Sequence, residues 1–267
     1  MIEKVRNAFR ALPDGRGQSN NRRYAMEDAA LSAFAVFFSQ SPSFLDSQVR
    51  MQKQQGKNNA SALFGVLEIP CDNPIRNLLD PVPAATLFPV IADMGDALSP
   101  QGHLEAFRSI HGTFLIALDG TDFFRSENIS CAHGSQTVLK NGKTRYRHIA
   151  VPPVLVAPGQ AQTLVLPPEF VQPQEGHEKQ DCERAASARW LARWGITYLG
   201  DDLYCHQSHC LRVLAQQAHF LFTCKADSHA PLYEWVDDFA RNGQLGTVIQ
   251  TRRVGKKPFT DTYCYIN

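Results

Sequence analysis

Asp119, Asp201 and Asp202 stand where this chain could deliver metal chemistry. Asp119 closes the apolar run Phe114-Leu115-Ile116-Ala117-Leu118 and is followed by Gly120-Thr121, while Asp201 and Asp202 close a second run, Ile196-Thr197-Tyr198-Leu199-Gly200. Short apolar runs of this kind read as buried strands, and an acid at the C-terminal end of such a strand is held where a sheet opens to ligands. Carboxylates from neighbouring strands suit Mg²⁺ or Mn²⁺, hard cations that take oxygen ligands. A pair of such ions activates a water and steadies the leaving oxygen in phosphodiester cleavage. Taken singly, each acid could equally cap a turn.

Basic side chains are the natural complement. Arg145, Tyr146, Arg147 and His148 follow the turn Lys140-Asn141-Gly142-Lys143, and Arg252, Arg253, Lys256 and Lys257 punctuate the C-terminal segment. Such side chains neutralise phosphates and release counterions, so Arg145, Arg147, Arg252 and Arg253 are the candidate DNA contacts, although solvated strand faces have the same composition. Arg22-Arg23 and the segment from Lys53 to Lys57 are basic stretches that read first as surface and second as DNA-facing. The cluster Cys205-His206-Gln207-Ser208-His209-Cys210 has the ligand types of a zinc site. Four ligands on one short turn cannot surround an ion without strain, however, and no second pair has matching spacing. Cys131 and His133 read as structural. Gly176–Glu183 carries acids and a histidine at a helix start, where acids favour the helix dipole; His177 and Glu178 are the residues there that could sit near a metal.

The elements that must position these residues follow from periodicity. From Tyr24 to Gln40, Met26, Ala29, Ala30, Ala33, Phe34, Phe37 and Phe38 fall on a helical stripe and predict a core helix. Residues 1–23 read as a polar, basic lead-in and Gln48 to Lys57 as a polar connection. Helices are expected over Asn58–Glu68, from an Asp72 or Asn73 cap through Leu79, and over Leu87–Phe107 with a break near Ser99-Pro100. After residue 113 the texture becomes extended: Phe114–Asp119 and Asn128–Ala132 as strands, then Arg145–Ala157 with a bend or edge at Pro152-Pro153. Asn141-Gly142 is a hairpin signal. A helix over Gly176–Trp194 closed by Gly195, strand Ile196–Gly200, helix His206–Ala218, strand His219–Cys224, helix Leu232–Arg241 and a pair of strands from Gly246 complete the chain.

The 267 residues are 43% hydrophobic and 20% charged, which permits a sizeable core, and the net charge of +1 excludes a histone-like binder while leaving room for a local basic surface. No stretch approaches a membrane span or a signal-peptide core. The seven cysteines are odd in number and without framework spacing, which predicts reduced, mostly buried thiols.

Four motifs in order, Leu118-Asp119-Gly120-Thr121, Asn141-Gly142-Lys143-Thr144-Arg145-Tyr146, Gly176-His177-Glu178-Lys179-Gln180-Asp181-Cys182-Glu183 and Leu199-Gly200-Asp201-Asp202-Leu203-Tyr204, resemble the DDE transposases of bacterial insertion sequences. The resemblance spans essentially the whole chain. It implies an α/β fold in which a helical N-terminal module, residues 1–112, precedes a ribonuclease-H-like mixed sheet with helices, residues 113–267. It further implies a DNA transposase that nicks transposon ends and joins the freed 3′-hydroxyl to target DNA, with Mg²⁺ or Mn²⁺ as cofactor, DNA as partner, self-association admitted, no membrane, and a cytoplasmic, nucleoid-associated location. Asp119 and Asp201 take the catalytic, metal-binding places; Asp201 followed by Tyr204 keeps an interval common in the family, and Asp202 is the reserve ligand. In relatives of this type the catalytic Glu follows a β-rich insertion. The segment from Gly246 resembles the start of that insertion, so the expectation is a truncated product lacking its third carboxylate; Glu234 is the substitute only if no insertion exists. A non-catalytic fragment that binds DNA or a full-length transposase is the alternative. Leu118-Asp119-Gly120-Thr121 also resembles haloacid-dehalogenase-type phosphatases, but Ala117 stands where their nucleophile belongs.

Overall fold

The computed structural model describes residues 2–16, 23–53, 62–66, 68–131, 133–172, 181–191 and 195–266. Its N-terminal part is helical. Helix α1 (Ile2–Arg10) forms where a polar lead-in was expected, because Val5 and Phe9 fall on one side and are buried while the charged residues face out. Helix α2 (Met26–Phe38) buries Ala29, Ala30, Leu31, Ser32, Ala35 and Val36. The expected stripe holds at its start, where Met26, Ala29 and Ala30 are buried and Phe34 packs against the core, and fails at its end: Phe37 and Phe38 are 72% and 55% exposed, with ring contacts to Phe44 and Phe64.

Helix α3 (Phe44–Lys53) extends over part of the expected polar connection. The Ser43 hydroxyl accepts the Asp46 N–H at 3.0 Å and caps its start. Helix α4 (Asp72–Leu79) starts from Cys71, not from an Asp72 or Asn73 cap; both residues instead occupy the first turn with Pro74, a position that tolerates proline. Helix α5 (Phe88–Leu98) stops before Pro100, and the rest of the expected Leu87–Phe107 helix is reduced to a short 3₁₀ turn at Glu105–Phe107. Of the helix expected over Asn58–Glu68, residues 58–61 and 67 lie outside the described residues; the described part is not helical from Leu63 on, because the chain turns through Gly65 at φ +67°. Phe9, Met26, Leu31, Phe64 and Val66 are among the buried residues that hold these helices together.

From residue 114 the chain gives β1 (Phe114–Ala117), β2 (Thr121–Ser126), β3 (Ser135–Val138), β4 (Thr144–Val151), β5 (Val154–Val156), β6 (Leu164–Val165), β7 (Glu169–Val171), α6 (Glu183–Trp190), β8 (Ile196–Gly200), α7 (Gln207–Ala215), β9 (His219–Phe222), α8 (Ala230–Arg241), β10 (Gly246–Val254) and β11 (Lys257–Tyr265). The main sheet has the order β6-β5-β1-β8-β9. Strands β1, β8 and β9 are parallel, and β5 and β6 are antiparallel additions on the other side of β1. A second sheet, β2-β4-β3, carries β7 on β4, and β10 pairs only with β11. The protein is therefore mixed α/β. No described helix is long and apolar enough to cross a membrane.

Local chemistry explains the second sheet. Gly142, at φ +78°, makes the β3–β4 hairpin turn. Pro152 and Pro153 lie where the chain leaves β4 for β5, since prolines cannot continue a ladder. The strand expected at Asn128–Ala132 is not formed over Asn128–Cys131, and Ala132 lies outside the described residues. The Ser126 hydroxyl accepts the N–H groups of Asn128 and Ile129 at 3.1 and 2.9 Å and turns the chain there, so the strand begins at Ser135 instead. Ile116, Val151, Leu155, Val171, Ala186 and Tyr198 contribute to one hydrophobic core between the sheets and helices. All seven cysteines are free thiols, four exposed and three half-buried, which corrects the expectation of mostly buried ones: apart from Cys210 within α7, they occupy turns, element ends and the exposed β11.

Candidate active site

The parallel pairing of β1 with β8 sets Phe114 beside Ile196 and Ala117 beside Leu199. At the entrance to the pair, the buried hydroxyls of Thr113 and Thr197 hydrogen-bond at 2.7 Å. At its exit, the Leu118 N–H donates to the Leu199 carbonyl at 2.9 Å. Two residues further, Asp119 and Asp201 leave the C-terminal edge of the sheet side by side, both exposed. Leu118, only 3% exposed, anchors the chain directly behind Asp119.

A third carboxylate meets them from α6. Arg189 fixes this helix: its Nε donates to Glu169 Oε1 at 2.7 Å, and its Nη2 donates to Asp181 Oδ2 at 2.8 Å and to the Phe170 carbonyl at 3.0 Å. The fork clamps both ends of the segment to β7, and Ala186 and Ser187 are fully buried beneath it. Burial opposes ionisation of Asp181, but the Arg189 guanidinium and the Gln172 N–H hold its carboxyl below the usual carboxylate range. Glu183, one turn earlier than Ser187, is thereby aimed at the end of β1. Its carboxylate lies over Gly120, where any Cβ would collide with it. Burial, and then the charges of Asp119, Asp122 and Asp201, push the Glu183 carboxyl up, and Arg147 opposes them. Among the described ion pairs Asp122 is matched by Arg125 and Arg147, whereas Asp119, Asp201 and Glu183 have no cationic partner.

Tyr204 forms the floor. It is fully buried, its ring lies over Gly200, where a Cβ would come within 2.9 Å of it, and its hydroxyl has no hydrogen-bond partner among the described residues. Burial, with the charges of Glu183, Asp119 and Asp201, drives its phenol far above the ordinary tyrosine range. A cleft of 220 Å³ beside this floor is lined by Arg147, Ile149, Val171, Asp181, Glu183 and Leu203, among others. A larger cleft of 680 Å³, bordered by Pro81, Phe88, His148 and Phe170, includes none of the three clustered acids.

The remaining candidates separate. Asp202, the reserve ligand, turns away from the cluster: its Oδ1 accepts the Lys225 N–H at 2.7 Å and its other oxygen accepts from the Ser228 hydroxyl, which together hold its carboxyl below the usual range. Glu234 is exposed on α8 and is not among the acids acting on Glu183. Arg145 and Arg147 share one face of β4; Arg147 lines the acid cleft and reaches Asp122 at 3.7 Å, while Arg145 lies 3.7 Å from Glu127. Arg252 and Arg253 are on β10, where Arg252 pairs with Asp261 at 2.6 Å and Arg253 is exposed. His177 and Glu178, like Arg22 and Lys57, lie outside the described residues. Sequence reasoning gave Glu183 only a helix-start role. The signal that could have found it is Gly120, whose missing side chain makes room for a carboxylate directly after the first acid.

Three carboxylates close enough to act on one another, and in no ion pair among the described residues, form a donor set of the kind hard divalent ions take. Comparison with known proteins gives no matching family profile, no similar curated protein and no similar solved structure.

Proposed function

We propose that the chain is a DNA transposase of the DDE type, with a ribonuclease-H-like core, cutting and joining phosphodiester bonds with Mg²⁺ or Mn²⁺ held by Asp119, Asp201 and Glu183. The observation that carries this reading is the convergence of those three carboxylates, from β1, β8 and α6, on one open sheet end. The strand order, two antiparallel strands beside three parallel ones, fits such a core. Glu183 fills the role for which the sequence reading sought a downstream Glu, so the absence of a third acid is not part of this proposal.

Burial, and then the repulsion of Asp119, Asp122 and Asp201, raises the Glu183 carboxyl; a divalent cation among the acids would offset the repulsive part, and that is how the donor set fits the ion. Bound there, the ions supply Lewis acidity and an activated water. Asp119 and Asp201, fixed by the β1–β8 ladder, set the direction from which the scissile phosphate is approached. Glu183, seated over Gly120, closes the third side. Arg147 and Arg145 on β4 offer positive charge to the neighbouring phosphates, and Tyr204 excludes water from below.

The test is cleavage of DNA carrying the sequences that flank this reading frame. Nicking that requires Mg²⁺ or Mn²⁺ and is lost in Asp119→Asn supports the proposal; nicking that persists without metal or in that variant overturns it. A second reading, a non-catalytic fragment that binds DNA or another transposase chain, is favoured by one observation: α8 buries none of its residues and leaves Trp235 65% exposed. DNA binding without cleavage is its signature.

A further inference from the structure

Immediately beyond the acid cluster, the loops after β8 and β9 bring together residues far apart in sequence. Cys205 Sγ and Cys224 Sγ lie 2.9 Å apart. A ring nitrogen of His229, at the start of α8, lies within 4.8 Å of both sulfurs. All three side chains are half-buried. The frame around them is well braced: the Thr223 N–H donates to the Gly200 carbonyl at 3.0 Å, the His229 N–H to the Lys225 carbonyl at 3.0 Å, and the Tyr233 hydroxyl to the Cys224 carbonyl at 2.9 Å. Asp202 ties the two loops together through the Lys225 N–H and the Ser228 hydroxyl. His229 Nε2 is buried and 3.3 Å from Asp202 Oδ1, outside hydrogen-bond geometry, and among the described residues it has no hydrogen-bond partner.

We propose that Cys205, Cys224 and His229 bind a Zn²⁺ ion that locks the loop carrying Asp201 to the start of α8. Two sulfurs and one imidazole nitrogen are borderline-soft donors of the kind zinc selects. A tetrahedral ion with Zn–S bonds of about 2.3 Å holds its sulfurs about 3.8 Å apart, so the thiol pair opens by less than an ångström. Water completes the fourth position; with Asp202 beside Nε2, Nδ1 is the ligating nitrogen, and Asp202 orients the imidazole from the Nε2 side as carboxylates commonly do for ligating histidines. On binding, both thiols release their protons to solvent and coordinate as thiolates; no oxidant is needed. The ligands are not those of the contiguous Cys205–Cys210 stretch: Cys224 and His229 arrive from the next strand and helix, which removes the strain that argued against zinc on one short turn. The site stands apart from the cleavage chemistry, and each can fail without the other.

The test uses the full chain, purified under reductant, stripped with a chelator, and titrated with Co²⁺ as the spectroscopic probe before displacement by Zn²⁺. The expected result is a thiolate-to-cobalt charge-transfer band with tetrahedral visible bands that saturates stoichiometrically and is abolished in Cys205→Ser and in Cys224→Ser. Asp202→Asn is expected to weaken binding about 10- to 100-fold. Cys264→Ser, on the exposed β11, leaves the spectrum unchanged. Because a cysteine variant could fail to fold, the wild-type chain supplies a second readout: Zn²⁺ slows alkylation of Cys205 and Cys224, mapped by mass spectrometry, and does not slow that of Cys131 or Cys264. Absence of the band in folded protein, a band that survives removal of both thiols, alkylation indifferent to Zn²⁺, or recovery of Cys205 and Cys224 as a disulfide from reduced, zinc-supplemented preparations overturns the proposal.

Discussion

Asp201 and Asp202 are neighbours in the chain, yet they serve two different regions. Asp201 faces the carboxylates of Asp119 and Glu183, while Asp202 faces Ser228, Lys225 and His229 beside two thiols. The chain turns at once after β8, with the Tyr204 and Cys205 N–H groups donating to the Asp201 and Asp202 carbonyls at 3.1 and 3.2 Å, so a single step around that turn separates the acid cluster from the thiol pair. The difference teaches how the end of one strand can present two donor sets: carboxylate oxygens gather at the β1–β8 seam, and sulfur and nitrogen gather at the β8–β9 seam.

The comparison breaks most visibly at the acids. Asp119→Asn and Asp201→Asn are each expected to reduce Mg²⁺-dependent nicking on the order of 10³-fold, the scale of a lost electrostatic stabiliser, while the cobalt–thiolate spectrum of Asp201→Asn persists. If one substitution removes both signals, the two regions are a single unit.

Glu183→Gln is expected to remove nicking to a similar extent while raising the Tm of the metal-free protein by a few degrees. The sign follows from the raised carboxyl. The folded chain holds this proton more tightly than the unfolded one, so the stability from this group is full below the ordinary value of 4.5 and is lost as pH rises through the folded value. The stabilisation by glutamine should therefore grow from acid to neutral pH and shrink when Mg²⁺ is added, both readable by thermal denaturation.

Gly120→Ala sharpens the same region sterically. The new methyl group meets the Glu183 carboxylate, and the expected cost is about 1–3 kcal/mol of stability together with loss of metal-dependent nicking. Unchanged denaturation and nicking would mean that Glu183 does not sit over that backbone.

A smaller effect lies beneath both seams. His209 is 2% exposed and neither ring nitrogen has a hydrogen-bond partner among the described residues. Burial, and then the charges of Arg184, Arg212 and His206, lower its pKa from 6.5. Its contribution is present above 6.5 and lost as pH falls, because the unfolded chain takes up the proton more readily. His209→Leu should flatten the loss of stability on the acid side of that value. The smallest effect is expected on β4: Arg145→Ala and Arg147→Ala should each reduce the salt dependence of DNA binding by a slope of about 0.9, one phosphate contact apiece.

Much of the main sheet was legible in the sequence. Ile196–Gly200 is an apolar run bounded by Gly195 and Asp201, and its strand has the bounds the pattern predicted. Pairing of β1 with β8, which sets Asp119 beside Asp201, was also expected from two buried strands each ending on an acid. Glu183 was not legible as a site residue, because its role depends on Gly120, more than sixty positions away, and on Arg189 clamping α6 to Glu169 and Asp181. The sulfur–imidazole cluster was hidden likewise: reading along Cys205–Cys210 offers four ligands on one turn, while the fold supplies Cys224 and His229 from across a strand pairing. Where side chains overrode the pattern, the cause was local. Ser126 turned the chain at Asn128, and α1 escaped notice because the charges around Val5 and Phe9 dominate its composition.

The ladder of β10 and β11 matches nine residues on each side, from Gly246 with Tyr265 to Val254 with Lys257, and every residue of β10 after Gly246 is exposed. Backbone pairing without a packed layer costs little to open. In hydrogen exchange its amides should therefore turn over by local fraying while those of β1 and β8 await global unfolding, and slowing of that turnover on mixing with DNA or a second chain would report docking at the hairpin.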